Sequence, residues 1–401
     1  MAVADAETQQ RFERLSSYLA ADPANPSLLE SAADAALACG LRAEALTLLE
    51  QSLALQPKSP GLQFKKGLVL LASADYTLAR SAFQQLVDAG NYHPAITYNL
   101  AYAAFGQGRP DEALQLLDSV VEVSRKDLPE YELLYARALY HTQEFDRALQ
   151  HVDRYLAKHA DASDGLGLKA MLLYDTSQNE LATRIAQDLL FANADDLQAH
   201  VVLGSVALEQ RDAAVAREHF QQVVDHDPNA GRAWSGLAFA ALLETRLSDA
   251  VACFECAVQH MPNHLGTWHG LAWAHIMTRD FTAARSAIDA AMALDRTFSE
   301  NHGMLAVLLV LEGRIAEAEA EAKRGMRLNP KSAASHFARS LLMAQAGDAG
   351  ASQRLVDKIL AGAGLQSQGG IADAILGLGG AGKRSQAPNP AVQRSSPKQA
   401  D

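Results

Sequence analysis

Residues 234–262 read WSGLAFAALLETRLSDAVACFECAVQHMP, and their pattern returns along most of the chain at a fixed interval. Alanine marks the register, because Ala250 of this stretch has counterparts 34 residues away in both directions, with a single interval of 35. A period held over nine positions is the signature of stacked structural repeats. The nine alanines are Ala45, Ala79, Ala113, Ala148, Ala182, Ala216, Ala250, Ala284 and Ala318.

Other positions keep the same register. A bulky apolar residue stands four positions after the alanine in most copies, as Phe254 does, and proline stands twelve positions after it in several, as Pro262 does. Earlier in each copy, a position such as Ala238 is always small, which lets two helices approach closely. Each copy contains two amphipathic helical stretches joined by turn residues. Since one such pair cannot bury its apolar face alone, neighbouring copies must stack.

These positions resemble the tetratricopeptide repeat family and its signature W-x2-L-G/A-x2-Y…A-x3-F-x2-A-x4-P. The resemblance implies an all-α fold, a right-handed α-solenoid of about ten antiparallel helix pairs. The tenth copy departs from the pattern with Ser352 in the alanine slot, and an extra residue lies near Leu128. The copies are 26–59, 60–93, 94–127, 129–162, 163–196, 197–230, 231–264, 265–298, 299–332 and 333–366.

The chain divides into three parts by pattern. We expect residues 1–25 to hold one capping helix and residues 26–366 to form the repeat array. Residues 367–401 are rich in Gly, Ser, Gln and Pro, a composition typical of segments without a core. Within them Ile371–Leu378 keeps helical spacing, and it could cap the last repeat, dock onto a partner or do neither.

Composition narrows the classes of function. The net charge of −12 argues against a sequence-independent nucleic-acid binder, and also against an anionic membrane surface, because both require excess positive charge. The start of the chain lacks a secretory signal pattern, and no stretch is long and apolar enough for a membrane span. Three cysteines are too few for a disulfide framework. We therefore expect a cytoplasmic protein without membrane insertion.

Two stretches imitate chemical motifs. GLGGAGKRS (377–385) nearly matches a phosphate-binding loop, but Arg384 stands where Ser or Thr must hold magnesium, and the expected strand is missing. CFECAVQHMPNH (253–264) spaces two cysteines and two histidines like a metal or redox site. Yet the repeat register places Cys253 and Cys256 in the middle of a helix, away from the N-terminal dipole that stabilises a thiolate. The sequence predicts no catalytic residue, no cofactor and no metal, with a site at Cys253, Cys256 and His260 as the alternative.

The family resemblance also indicates where a partner would bind. In such arrays the first helix of each repeat lines a concave groove, with ligand-facing residues at the second, fifth, ninth, twelfth and thirteenth positions. In this chain those positions include Ile276 and Met277, and they form two aromatic zones whose candidate partner-binding residues are Phe64, Tyr98, Tyr102, Phe105, Arg137, Tyr140, Met171, Tyr174, Phe239, His269 and Trp273. The lysine and asparagine residues with which some members bind a peptide carboxylate are absent, apart from Asn99.

The function expected from this pattern is a non-enzymatic scaffold or adaptor that binds a peptide or protein segment in its groove. Aromatic and Arg side chains on a concave surface are typical of interaction hot spots. An assembly factor, a chaperone-like adaptor and a regulatory subunit all fit, because a fold does not choose among such roles. Besides the metal-dependent alternative, a self-assembling structural array remains open, and the oligomeric state is not predicted.

Overall fold

The computed structural model describes residues 6–120, 128 and 130–362, and every regular element in them is an α-helix. The helices are α1 (Ala6–Ala21), α2 (Pro26–Ala38), α3 (Arg42–Leu55), α4 (Pro60–Ala72), α5 (Tyr76–Asp88), α6 (Pro94–Gly106), α7 (Pro110–Asp118), α8 (Tyr131–His141), α9 (Phe145–Leu156), α10 (Ser163–Asp175), α11 (Asn179–Ala192), α12 (Leu197–Glu209), α13 (Ala213–His226), α14 (Gly231–Leu243), α15 (Leu247–His260), α16 (Leu265–Thr278), α17 (Phe281–Leu294), α18 (Ser299–Leu311), α19 (Ile315–Leu328), α20 (Ala333–Gln345) and α21 (Ala349–Gly362).

The chain forms two compact units, residues 1–189 and residues 190–401. In the first unit α2 packs on α3, α4 on α5, α6 on α7 and α8 on α9. In the second unit the same pairing joins α12 with α13, α14 with α15, α16 with α17, α18 with α19 and α20 with α21. The predicted all-α solenoid of antiparallel helix pairs is therefore confirmed.

The register positions form the core of each unit. All nine register alanines have an exposed fraction of zero, and the bulky residues four positions later are equally buried. Gly204 shows why the small position must stay small, because a Cβ on it would lie 2.9 Å from Cζ of Phe220. Phe220 also lies against Gly236 of the following repeat. Each bulky residue thus fills the space between two successive first helices.

The turn between the two helices of a repeat carries a periodic feature that the sequence pattern did not reveal. One residue in each of the ten turns has a φ between +57° and +93°, in the left-handed region. The amide after Ala74 shows the reason, since Asp75 N donates to the carbonyl of Leu70 at 2.9 Å and so closes the end of α4. The ten residues are Gly40, Ala74, Gly108, Gln143, Ser177, Arg211, Thr245, Arg279, Gly313 and Gly347.

Helix α1 contacts α2, at the place where the sequence predicts a capping helix. Residues 367–401, with Ile371–Leu378 and the GLGGAGKRS stretch, lie outside the described residues. Among the helices that the structure describes, none combines the length and the hydrophobicity that a bilayer span demands.

Candidate functional site

All eleven predicted partner-binding residues lie on first helices, and all are at least partly exposed. Those in the first unit lie on α4, α6, α8 and α10, and those in the second unit lie on α14 and α16. Successive first helices contact each other within each unit, as α6 does with α8 and α14 does with α16. Two other groove positions are different, because Ile276 has an exposed fraction of 0 % and Met277 of 7 %. Both belong to the core, so neither is placed to contact a partner.

Tyr98 and Tyr102 lie one turn apart on α6 and pack on the core formed by α6 to α10. Within the described residues their hydroxyl groups make no hydrogen bond, in contrast to those of the neighbouring tyrosines. The Tyr131 hydroxyl donates to the carbonyl of Leu117 at 3.1 Å, and the Tyr140 hydroxyl donates to Asp175 Oδ2 at 2.6 Å. A half-buried hydroxyl without a protein partner is a group that a ligand can satisfy.

Charged groups surround these two tyrosines. Burial, followed by the charge of Glu130, raises the pKa of Tyr98 well above its usual range. Glu130 precedes α8 and lies near Tyr155, whose pKa is raised by burial first and then by the charge of Glu130. Arg137, the one predicted cationic residue of this zone, pairs with Asp164 at 3.0 Å between Nη2 and Oδ2. Arg137 is thus committed to a protein carboxylate.

The remaining aromatic residues of the first unit support one another. The rings of Phe105 and His141 meet edge to face at 5.3 Å, and Tyr140 contacts His141 in the same manner at 5.7 Å. Phe64 leans edge to face on the buried Phe83 at 5.6 Å. These side chains are partly core residues, so their exposed edges extend the surface around Tyr98 and Tyr102 rather than form separate pockets.

The aromatic candidates of the second unit also contact other rings. Phe239 is 42 % exposed and rests edge to face on Phe254 at 5.1 Å. His269 stacks on Phe298 at 5.6 Å and contacts Asn301, while Trp273 meets the Phe337 ring at 5.8 Å. The described neighbours of Trp273 are therefore apolar, and this zone is a separate candidate surface within its own unit.

A ring N–H at the fourth repeat position holds each turn that precedes a first helix of the second unit. The indole of Trp234 donates to the carbonyl of Pro228 at 2.8 Å, and Trp268 does the same to Pro262. Both tryptophans are half-buried, so each ring packs on the protein and also fixes the turn through its hydrogen bond. The full set of rings bonded to the carbonyl six residues earlier is His200, Trp234, Trp268, His302 and His336. The histidines were missed in the sequence, although their 34-residue spacing was visible.

One of these histidines forms an unusual pair. His200 Nε2 lies 2.9 Å from the Ala194 carbonyl, so it must carry a proton, and neutral His200 then accepts from Nδ1 of His219, also 2.9 Å away. Burial, followed by the nearby His200, lowers the pKa of His219. The folded state therefore binds a proton at His219 less readily than the unfolded state does.

From this pair we predict a loss of stability in acid. Because the folded pKa of His219 is depressed, its contribution is present above the unfolded pKa of about 6.5 and is lost as the pH falls toward the folded value. His219→Gln should reduce the slope of the free energy of unfolding against pH. The reduction is at most about 1.4 kcal/mol per pH unit, which corresponds to one proton. Urea unfolding at pH 7.5 and 5.5 measures it, and an unchanged pH dependence would refute the role of His219.

The CFEC stretch lies in the middle of α15, as predicted. Cys253 packs beside Trp234 on the core of its unit, and burial, followed by Cys256, raises the pKa of its thiol. A raised pKa disfavours the thiolate that both redox chemistry and metal binding require. His260 is exposed at the end of α15, and the described residues contain no cluster of three or more His, Cys, Asp or Glu that could hold a metal ion.

Solved structures share this architecture at low sequence identity. The human IFIT1 dimer with m7Gppp-AAAA is 14 % identical, with a TM-score of 0.54 over 90 % of this chain and 96 % of that one. The APC/C hetero-tetramer Cut9–Hcn1 is 15 % identical, with a TM-score of 0.50 over 89 % and 85 %. At such identities the likeness shows the fold alone. No curated protein matches the chain at a significant level of sequence similarity.

Family models described as tetratricopeptide repeat match residues 30–94, 70–138, 168–230 and 201–264, about half of the chain in total. The matches fall on helix pairs that the structure shows, and six of the nine buried register alanines and six of the ten left-handed turn residues lie within them. The chain belongs to the tetratricopeptide repeat family, whose fold typically serves as a scaffold for protein interactions.

Proposed function

We propose that the chain is a non-enzymatic adaptor that binds a peptide or protein segment on the first helices of its repeats, with Tyr98 and Tyr102 at the centre of the contact. The observation that carries this proposal is that both tyrosines are half-buried on α6 and leave their hydroxyl groups without a hydrogen bond in the described residues. Tyrosine offers a large, rigid apolar face and a polar end, which makes it a frequent hot-spot residue.

The surroundings favour a protein partner. Phe105 and Tyr140 are partly buried on the same core as the two tyrosines, and Phe64 packs on the neighbouring core of α4 to α6, so an apolar side chain of a partner can be buried there. The IFIT1 neighbour is a complex with m7Gppp-AAAA, whereas Cut9–Hcn1 is a protein assembly. For this chain the net charge of −12 favours the protein alternative, since RNA phosphates would be repelled.

A place in a larger complex is part of the proposal. Assembly factor, chaperone-like adaptor and regulatory subunit share one requirement, a surface that holds a segment of another protein without chemistry on it. The metal-dependent alternative at Cys253, Cys256 and His260 is not favoured, because Cys253 packs on the apolar core and burial raises the pKa of its thiol. A self-assembling array would instead show as growth of the particle with concentration in light scattering.

The proposal predicts that the Tyr98→Ala, Tyr102→Ala variant loses its partner. Affinity capture from the native cell should recover the partner at least tenfold less with the variant than with the wild type, because each hot-spot tyrosine contributes about 2 kcal/mol. Tyr92→Ala is the matched control, since Tyr92 is 76 % exposed in the turn before α6. Circular dichroism shows that the helices persist. Equal recovery with a folded Tyr98→Ala, Tyr102→Ala variant would refute the proposal.

A further inference from the structure

The groove positions of the first unit carry an excess of negative charge. They hold five carboxylates, and the cations beside them are Lys65 and Arg137, which gives these seven side chains a net charge of −3. Lys65 Nζ lies 2.8 Å from Glu30 and 2.9 Å from Asp34, so one ammonium serves two carboxylates. Burial lowers the pKa of Lys65, but its bonds to the two carboxylates outweigh this effect and raise the pKa. The five carboxylates are Glu30, Asp34, Glu130, Asp164 and Asp175.

Glu130 brings the excess charge close to Tyr98, one of the two tyrosines whose hydroxyl groups form no hydrogen bond in the described residues. Glu130 lies at the start of α8, and its side chain caps no helix amide. The neighbouring Tyr155 hydroxyl is neutral, so it leaves the full negative charge on the carboxylate. Asp164, the next carboxylate, is neutralised by Arg137 at 3.0 Å. The local sum over Glu130, Asp164 and Arg137 is therefore −1.

The rings beside Glu130 suit a cation as well. Tyr98 and Tyr102 stand at i and i+4 on α6, so their Cβ atoms are about 6 Å apart on one helix face. A cation binds over a tyrosine ring within about 6 Å of the ring centroid, and it gains further from a nearby carboxylate. α6 contacts α8, which begins directly after Glu130. After burial, the larger cause, Glu130 and Tyr102 also raise the pKa of Tyr98, which places two rings and one carboxylate at the junction of these helices.

We propose that Tyr98, Tyr102 and Glu130 form a subsite for one Arg or Lys side chain, and that the first unit selects a partner segment with a net positive charge. This inference rests on the proposed function, because it names the chemistry of the partner at the same surface. An acidic segment is disfavoured there, because its carboxylates would face the five on the first helices. The groove positions of the second unit include the cation Arg232, which lies near His264 together with His269.

The subsite can be tested with the smallest possible ligand on the full chain. N-acetyl-arginine methylamide is titrated into protein with 13C-labelled tyrosine rings, and N-acetyl-citrulline methylamide is the neutral control of the same shape. We expect the arginine probe to shift the Tyr98 and Tyr102 signals, which Tyr98→Phe and Tyr102→Phe identify among the ten tyrosines. The citrulline probe should bind at least fivefold more weakly, and added salt should weaken the arginine probe alone.

Glu130→Gln separates the role of the charge from that of the fold. Glutamine keeps the size and the side-chain carbonyl oxygen but removes the negative charge, so the shifts caused by arginine should fall at least fivefold. Glu144→Gln is the control. Glu144 lies in the turn after α8, where its carboxylate pairs with Arg147 at 2.5 Å. Unchanged Tyr98 and Tyr102 signals, equal binding of citrulline, or full binding in Glu130→Gln would each overturn the subsite.

Failure of the inference and failure of the proposed function give different results. If arginine does not bind but the Tyr98→Ala, Tyr102→Ala variant still loses the captured partner, the surface binds a segment of another chemistry and only the inference falls. If arginine binds and the captured partner does not depend on the two tyrosines, the subsite exists but the proposed function is wrong.

Discussion

Replacing Phe254 by alanine is expected to destabilise the second unit by about 4 kcal/mol. The ring has an exposed fraction of zero and stands in the bulky position of its repeat. It fills the space beside Gly270 of the following repeat, where a Cβ on the glycine would overlap the ring. Alanine therefore leaves a cavity between two repeats at once, and the apolar contacts on both sides are lost.

The unfolding of the second unit is easy to follow, because all three tryptophans lie in it. The midpoint of urea unfolding, read from tryptophan fluorescence, should fall sharply for Phe254→Ala. Cys256→Ala, two residues along the same helix, is the control and should cost less than about 1 kcal/mol, because its side chain is only half-buried. Equal losses in the two variants would contradict the repeat register.

Gly303→Ala is expected to cost about 3 kcal/mol, the upper end of the range for overpacking. A Cβ on Gly303 would lie 2.6 Å from the carbonyl carbon of Ala334 and 2.7 Å from its Cβ, so backbone must move. The shift would also strain the start of α20, where Glu300 accepts hydrogen bonds from the amides of Ala333 at 3.1 Å and Ala334 at 2.8 Å. The contact between α18 and α20 depends on this glycine.

Gly350→Ala provides the comparison for Gly303→Ala. Gly350 is exposed in the first turn of α21, and the nearest atom to an added Cβ is the mobile end of Arg354 at 3.4 Å. Alanine should be neutral or slightly stabilising there, since it is the better helix former. Both variants are read by the same fluorescence measurement. A Gly303→Ala protein as stable as wild type would show that α18 and α20 do not approach as closely as described.

Much of the fold could be predicted from the sequence, because the 34-residue period recurs many times and its small and bulky residues are required by helix packing. Each repeat uses the same position for a small residue, a bulky residue and a proline, as in Ala250, Phe254 and Pro262. Their recurrence therefore identifies the repeats without knowledge of any contact. The same register correctly placed Cys253 and Cys256 in mid-helix. Local spacing alone would have suggested a metal site.

Other features could not be predicted from the sequence, because residues of different types form the same hydrogen bond or adopt the same backbone conformation. In the second unit a ring N–H donates a hydrogen bond to each turn that precedes a first helix. His200 provides this donor as well as Trp234 does, although the family pattern contains only tryptophan. Thr245 adopts a left-handed conformation that glycine takes in other turns, so the turn position has no single residue type. Hydrogen-bond geometry, not side-chain identity, is what repeats.

From the sequence the candidate residues could be assigned to the first helices of the repeats, but they could not be ranked. Groove position alone treats Tyr98, Tyr140 and Met277 alike, although they differ in the structure. Met277 is a core residue, Tyr140 bonds to Asp175, and Tyr98 has no hydroxyl partner in the described residues. Burial and hydrogen bonding depend on neighbours that are distant in sequence, so the ranking requires the three-dimensional structure.

A partner segment that lies against α6 can be located directly by photocrosslinking in the native complex. A photoreactive benzoylphenylalanine replaces Tyr102 in one protein and Tyr92 in another, and each is irradiated in the native cell. We expect position 102 to form a covalent adduct with one partner and position 92 to form none. Tyr98→Ala should abolish the adduct. An adduct with that partner from position 92 and none from position 102 would contradict it.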